Sequence, residues 1–197
     1  MPEFLPDPSA EALRSEFGYD IIAPSALTML LSAASERPRK RVLEIGTAVG
    51  YSALCLAAVT GAEVDTVERD PARLDIARKL WSGRPEESRI HAYSGAAEEV
   101  LPRLAEKYVY DFVFIDAAKS AYSRYLDLIY DAIDTGGIIF ADDVNYLGLV
   151  EGGAYPPHKH RTIVNNMRAF VAKISDPALF DSKIYDVGDG VAVCRKL

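Results

Sequence analysis

The sequence predicts a doubly wound α/β domain, a mostly parallel seven-stranded sheet closed by an antiparallel C-terminal hairpin. Three observations carry this. Short apolar runs alternate with helical patterns along most of the chain. The first run ends in a glycine turn that opens a helix, the strand–turn–helix unit of nucleotide-binding sheets. The last two runs, Ala178–Tyr185 and Gly190–Arg195, have only a turn with Gly188 and Asp189 between them, so they pair as a hairpin.

The elements follow in order. Met1–Pro8, with three prolines, reads as an irregular lead, and Ser9 suits the cap of a short helix from Ala10 to Phe17. Pro24 fits the first turn of a helix over Ser25–Ser35, with Leu27, Leu30 and Leu31 on one face. The basic cluster Arg37–Arg41 reads as a solvated loop. Arg41–Leu56 (RVLEIGTAVGYSALCL) organises the rest: Val42, Leu43 and Ile45 make a buried strand, Gly46 and Gly50 the turn, and Tyr51–Val59 the helix. A strand over Glu63–Glu68 and a proline-opened helix over Pro71–Trp81 come next. Arg89–Tyr93 is a short strand, and Ala96–Lys107 a helix that Pro102 would kink or split. Asp111–Asp116 and Gly137–Asp142 are apolar strands ending in carboxylates, with a helix over Tyr122–Ile133 between them. Val144–His158 reads as a long loop and Arg161–Ile174 as a helix. No repeat or interdomain linker interrupts this order. Residues 1–197 therefore read as one domain, with 1–35 as a helical extension or lid.

Composition narrows the function. A net charge of −7 argues against a broad basic face for nucleic acid. Cys55 and Cys194 sit in apolar patterns and read as reduced core residues. The first residues lack the charged and apolar regions of a signal peptide, and no apolar run is long enough to span a membrane. The expectation is a cytoplasmic protein.

Chemistry enters at the strand ends, where open parallel sheets bind ligands. The glycine turn is E-x-G-x-x-x-G and departs from the dinucleotide pattern G-x-G-x-x-G. A carboxylate at Glu44 would repel a pyrophosphate but suits a cation. S-adenosylmethionine carries a sulfonium and an ammonium and no phosphate, so the turn points to a methyl donor. Glu68, followed by Arg69 and Asp70, ends the next strand where a carboxylate can hold two ribose hydroxyls. That residue alone does not separate S-adenosylmethionine from NAD. Gly95, Ala96 and Ala97 are small enough to border an adenine. Asp116, Asp142 and Asp143 end adjacent strands beside Lys119, and three unpaired carboxylates repel one another. A hard divalent cation would relieve that repulsion.

Five stretches carry a resemblance: VLEIGTAVGYSAL, VERD, FIDAAKSAYSRYL, GGIIFADDVNYLG and GDGVAVCRK. Together, and in this order, they resemble the cation-dependent O-methyltransferase family, which includes caffeoyl-CoA and catechol O-methyltransferases. The resemblance implies the class I methyltransferase (Rossmann-like) fold and a homodimer. It implies that Glu44, Gly46, Thr47, Gly50, Tyr51 and Ser52 line the methionine part of S-adenosylmethionine. Glu68 would hold the ribose, with Arg69 also among the cofactor-binding residues, and Gly95, Ala96 and Ala97 would border adenine. Asp116, Asp142 and Asp143 fall on metal ligands for magnesium, alternatively calcium or manganese. Lys119 falls on the lysine beside the substrate hydroxyl, with Asp116 next to it, and Tyr122 on a tyrosine near the donor. Asp143 stands where the family usually has asparagine, Ala118 replaces a common acidic residue, and Tyr146 a frequent tryptophan.

The resulting expectation is cation-assisted methyl transfer to a small-molecule hydroxyl, with catechol-like vicinal hydroxyls suiting a metal chelate best. Lys119 would accept the hydroxyl proton or stabilise the oxyanion. A hydroxylated tRNA base as acceptor, an NAD-dependent oxidoreductase and a non-catalytic donor-binding protein are the rival readings. The negative charge disfavours the first rival, and the Glu44 turn with the carboxylate rim disfavours the second. His158 and His160 read as solvated loop residues, Trp81 as an ordinary helix-end contact, and Tyr122 and Tyr125 as equally able to be packing residues.

Overall fold

A computed structural model describes residues 21–150 and 156–197. The expected lead at Met1–Pro8 and helix at Ala10–Phe17 lie outside the described residues, and so does most of the expected lid. The chain forms α1 (Pro24–Ser35), β1 (Arg41–Ile45), α2 (Tyr51–Thr60), β2 (Glu63–Glu68), α3 (Pro71–Trp81) and β3 (Ile90–Ser94). It continues through α4 (Ala97–Ala105), β4 (Tyr110–Ile115), α5 (Tyr122–Ile129), β5 (Ile133–Ala141), α6 (Arg161–Ile174), β6 (Phe180–Tyr185) and β7 (Val191–Lys196). The sheet order is β3-β2-β1-β4-β5-β7-β6, parallel through β5 and antiparallel at β7 and β6. The expected sheet and hairpin are both present. Strand order reverses between β1 and β4, which places a ligand crevice beyond their carboxyl ends.

Two apolar layers hold the sheet. Val42, Val64, Phe112, Phe114 and Phe140 pack under α1, α2 and α3. Leu43, Ile45, Val113, Ile115 and Ile139 pack under α4, α5 and α6. Successive residues of β1 thus serve opposite layers, as the strand period of two requires. Cys55 and Cys194 are buried thiols outside any disulfide, as read from the sequence. Among the described residues no helix is long and apolar enough to cross a membrane.

Three local expectations are corrected. Arg37, Pro38 and Lys40 are exposed as the solvated-loop reading expects, but Arg39 is 6% exposed. Its guanidinium donates to Ala33 O and Ala34 O, each at 2.9 Å, and to Asp111 O at 3.1 Å. The two alanine carbonyls end α1, where the helix leaves its last acceptors open, so the arginine acts as a C-terminal clasp. The helix expected to reach Ile133 stops at Ile129, and β5 begins at Ile133, well before Gly137. Lys196 Nζ draws that corner in by donating to Tyr130 O and Ile133 O, both at 2.8 Å. Finally, α4 runs unbroken through Pro102.

At the opposite rim from the crevice, Asp65 on β2 is fully buried within the sheet. Its carboxylate accepts from Arg41 Nε at 2.6 Å and Nη2 at 2.9 Å, from Tyr110 Oη at 2.9 Å and from Tyr93 Oη at 3.1 Å. The Arg41 guanidinium lies 3.6 Å from the centre of the Tyr108 ring.

Candidate active site

A cavity of about 720 Å³ opens across the carboxyl ends of the parallel strands. Its walls hold Gly46, Glu68, Arg69, Gly95, Ala96 and Ala97 at one end and Asp116, Lys119, Asp142 and Asp143 at the other. Its size suits a cofactor with a small second ligand.

The first end is built by main-chain hydrogen bonds. Gly46 N and Thr47 N both donate to Val67 O, at 3.0 and 3.2 Å, and Asp116 N donates to Ile45 O at 3.0 Å. Gly46 has φ +103°, and a Cβ there would lie 2.0 Å from Asp116 O. Glycine is needed here for the close approach of two strand ends. Gly50 has φ +82°, and a Cβ there would lie 2.6 Å from the Trp81 ring. Trp81 is buried, and its Nε1 donates to Gly50 O at 2.8 Å, so it fixes the turn rather than merely ending a helix. Glu68 is 6% exposed. One of its oxygens accepts from Ala48 N at 2.8 Å and the other from Asp70 N at 2.9 Å. The carboxylate therefore ties two loops together, and each oxygen keeps a lone pair for a ligand hydroxyl. Ala48 sits at φ +48°, a conformation supported by that bond.

Glu44, Thr47, Gly50, Tyr51, Ser52 and Tyr122 do not line this cavity. Glu44 points into the layer under α2 and is fully buried. Thr66 Oγ1 donates to Glu44 Oε2 at 2.5 Å and lies 2.5 Å from Thr47 Oγ1. Glu44 Oε1 accepts no hydrogen bond of good geometry. Burial pushes the Glu44 carboxyl up to about 8, the Ser52 and Thr66 hydroxyls draw it down, and the charges of Asp116 and Glu68 add to the rise.

A pH dependence follows. The folded protein holds Glu44 protonated where the unfolded chain, near 4.5, does not. Its contribution to stability is complete below pH 4.5 and is lost as pH rises to about 8. Relative to Glu44→Gln, the wild type should lose about 2–4 kcal/mol between pH 4 and pH 9. Urea unfolding of both proteins across that range measures it, and parallel curves would remove the assignment.

At the second end the ammonium of Lys119 lies 2.7 Å from Asp116 Oδ1 and 2.9 Å from Asp143 Oδ2. It also donates to Tyr122 Oη at 3.0 Å. Burial alone would lower the Lys119 pKa; Tyr122, Asp116 and Asp143 outweigh it and hold the group well above the usual lysine range. Tyr122 is fully buried, with its hydroxyl 3.1 Å from Asp142 O, so it braces Lys119 from behind the cavity wall. Tyr125, one helical turn on, lines the cavity instead. Asp142 is 4% exposed and accepts from Asp143 N at 2.9 Å. Burial, followed by the charges of Asp116 and Asp143, pushes its carboxyl up to about 7.

The expected carboxylate rim is assembled, with Lys119 between Asp116 and Asp143. Among the described residues no group of three His, Cys, Asp or Glu side chains is arranged to hold a metal ion. Lys119 takes up the repulsion between Asp116 and Asp143 that the sequence reading gave to a divalent cation. His160, read from the sequence as a solvated loop residue, is half-buried, and its Nδ1 lies 3.1 Å from Tyr146 Oη. Sequence reasoning missed Arg73, Glu98 and Asp189 as cavity lining, whereas Ile21, Ile22 and Ala23 belong to the segment read as an extension or lid. Only Asp189 had a signal, a carboxylate between two glycines of a hairpin turn.

A sequence model of the O-methyltransferase family matches residues 23–197. The chain belongs to the O-methyltransferase family. It is 30% identical over 209 residues to caffeoyl-CoA O-methyltransferase 3 of Nicotiana tabacum, covering 98% of this chain and 84% of that protein. It is 35% identical over 150 residues to O-methyltransferase ankF of Aspergillus thermomutatus, covering 73% of this chain and 62% of that protein's length. An O-methyltransferase from Bacillus cereus, solved in complex with SAH, superposes with a TM-score of 0.86 at 22% identity, covering 100% of this chain and 94% of that one. TomG of Streptomyces achromogenes, solved with SAM, gives 0.83 at 23% identity, covering 96% of this chain and 88% of that one. The seven-stranded sheet is the fold of these O-methyltransferases.

Proposed function

We propose that this family member transfers a methyl group from S-adenosylmethionine to a hydroxyl of a small molecule. The observation that supports it is one cavity with the Gly46–Glu68 turn at one end and the Lys119 ammonium at the other. The donor lies along the first end, with its ribose hydroxyls on Glu68. The acceptor lies at the second, its hydroxyl beside Lys119. The acceptor hydroxyl loses its proton to solvent, and the resulting oxyanion attacks the methyl carbon in line with the S–C bond; the C–O bond forms as the S–C bond breaks, and the sulfonium leaves as a neutral thioether. Lys119, held as an ammonium, stabilises negative charge on the attacking oxygen. It becomes a proton acceptor only when its pairs with Asp116 and Asp143 open. Alignment across the cavity supplies the remaining effect.

Asp116, Asp142 and Asp143 offer hard oxygen donors, and the raised carboxyl of Asp142 is the charge a cation would satisfy. These three residues would hold a divalent cation such as magnesium once Lys119 releases two of them. The cation would supply Lewis-acid stabilisation of a bound acceptor oxygen. Vicinal hydroxyls are the acceptor class that fits such a rim.

Labelled S-adenosylmethionine, offered with a panel of catechols, other hydroxylated small molecules and hypomodified tRNA, tests the reading. Label in vicinal-hydroxyl compounds, reduced by chelator, is the expected result; label in tRNA alone overturns the acceptor class. Glu68→Ala should weaken S-adenosylhomocysteine binding by about 10–100-fold in calorimetry, the scale of charge-assisted bonds to two hydroxyls. Unchanged affinity would move the ribose elsewhere.

A further inference from the structure

We propose that Asp189, in the turn between β6 and β7, is the positioning residue for the acceptor side of the cavity; the inference rests on the methyl-transfer reading above. The sheet order puts Glu68 and Gly95 at the ends of β2 and β3, whereas Asp142 and the segment after it follow β5, next to β7. Asp143, which opens the segment 143–150, lines the acceptor half of the cavity. The backbone of this segment is unusual: Asp143, Tyr146 and Leu147 have φ of +56°, +40° and +59° without being glycine. Side chains rarely sit there unless their surroundings hold them.

The support comes from the hairpin turn. Asp189 Oδ2 accepts from Leu147 N at 2.5 Å. Asp189 O accepts from Asn145 N at 2.8 Å, and Gly190 O from Val144 N at 2.9 Å. Gly190 lets the two segments close, since a Cβ there would lie 2.7 Å from Asn145 Cγ. Farther along, Arg168 donates to Leu149 O at 3.0 Å and Val150 O at 3.1 Å. Tyr146 Oη meets His160 at the same side. Of these three fastenings among the described residues, only Asp189 also lines the cavity. Its carboxylate bonds the main chain at Leu147, whose side chain is 65% exposed, so little packing holds that residue in place of the bond. One side chain thus sets how the segment that begins at Asp143 faces an acceptor, and it does so without touching the donor end.

The test compares Asp189→Ala with Asp189→Asn, whose amide oxygen can still accept from Leu147 N. Catechol is the acceptor probe and S-adenosylhomocysteine the donor-site probe. Asp189→Ala should raise KM for catechol about tenfold, the size of one charge-assisted hydrogen bond, with kcat within about twofold and S-adenosylhomocysteine affinity unchanged. Asp189→Asn should stay within about twofold of wild type in all three. Amide hydrogen exchange at Leu147 and Asn145 should quicken in Asp189→Ala alone. Wild-type protection at Leu147 in a folded Asp189→Ala overturns the inference, as does a loss of donor affinity equal to the loss for catechol. If the wild type methylates neither catechol nor any other small hydroxyl, the function proposed above fails, and hydrogen exchange still decides whether Asp189 holds the segment.

Discussion

Replacing Lys119 by Met should lower kcat for methyl transfer by about 10²–10⁴-fold, the range spanned by removal of a proton-transfer or oxyanion-stabilising group. S-adenosylhomocysteine affinity should stay within about threefold, because the donor end is built by Gly46, Ala48 and Glu68, which do not contact this ammonium. The size of the effect comes from where the charge sits. Lys119 is the cation between Asp116 and Asp143, and its side chain is 17% exposed. In such a partly dry place an ammonium acts far more strongly on a developing oxyanion than it would in water. Removing it also leaves Asp116, Asp142 and Asp143 facing one another without compensation, which disfavours an incoming oxyanion a second time. Arginine should rescue poorly, since its planar fork does not reproduce a compact ammonium shared between two carboxylates and the Tyr122 hydroxyl. Tyr122→Phe should cost less, about 3–10-fold in kcat, because it removes one brace and keeps the charge. Single-turnover rates with saturating donor separate these effects from binding. A folded Lys119→Met protein with near-wild-type kcat would reduce Lys119 to a salt-bridge partner.

The fold was legible where its causes are local. Apolar runs of strand length, a glycine turn before a helix and a hairpin without an intervening helix each announce themselves within about a dozen residues. The candidate site was legible at the strand ends for the same reason: Glu68, Asp116, Asp142 and Asp143 each close an apolar run. What escaped was set by distance in sequence. Arg39 reads as one basic residue among several, and nothing near it signals that Asp111 O and the end of α1 converge on it. The sequence ends a helix at Ile133 and starts a strand at Gly137, and only the pairing of Ile133 with Tyr110 draws the strand back to Ile133. Glu44 reads as a strand-end ligand, but the strand runs on through Ile45 and the alternation of β1 turns the side chain into the layer beneath α2. Lys119 was recognised by position, whereas its seat between two carboxylates depends on β4 and β5 lying side by side. The resemblance carried the site residues as a set; the geometry separates them into those that face the cavity and those that hold its walls.

The largest stability effect belongs to Asp65, a residue to which neither the donor reading nor the acceptor reading assigns a role. Asp65→Ala should destabilise the protein by about 3–5 kcal/mol, the cost of removing one partner from a buried, hydrogen-bonded ion pair. The carboxylate is fully buried, and the Arg41 side chain bonded to it is 19% exposed. Two tyrosine hydroxyls, from β3 and β4, end on the same two oxygens. Burial and the adjacent Asp65 charge raise both tyrosines above their usual range, while Asp65 raises Arg41 against the pull of its own burial. Alanine removes this acceptor from the fully buried Tyr110 phenol and from the half-buried Arg41 guanidinium and Tyr93 phenol, so the loss is mainly the desolvation of these donors and not the worth of one contact. An amide at this position would keep one acceptor oxygen and forfeit the charge, so Asp65→Asn should fall between, at about 1–3 kcal/mol. Replacing the cluster at both ends, with Arg41→Met and Asp65→Leu together, should recover much of the loss, because apolar groups of similar volume need no partners. Urea midpoints with unchanged slopes measure all three variants. Because β1, β2, β3 and β4 meet at this carboxylate and carry the ligand crevice at their other ends, Asp65→Ala should unfold more easily yet bind S-adenosylhomocysteine normally while folded; a parallel loss of affinity would mean the two rims of the sheet are coupled.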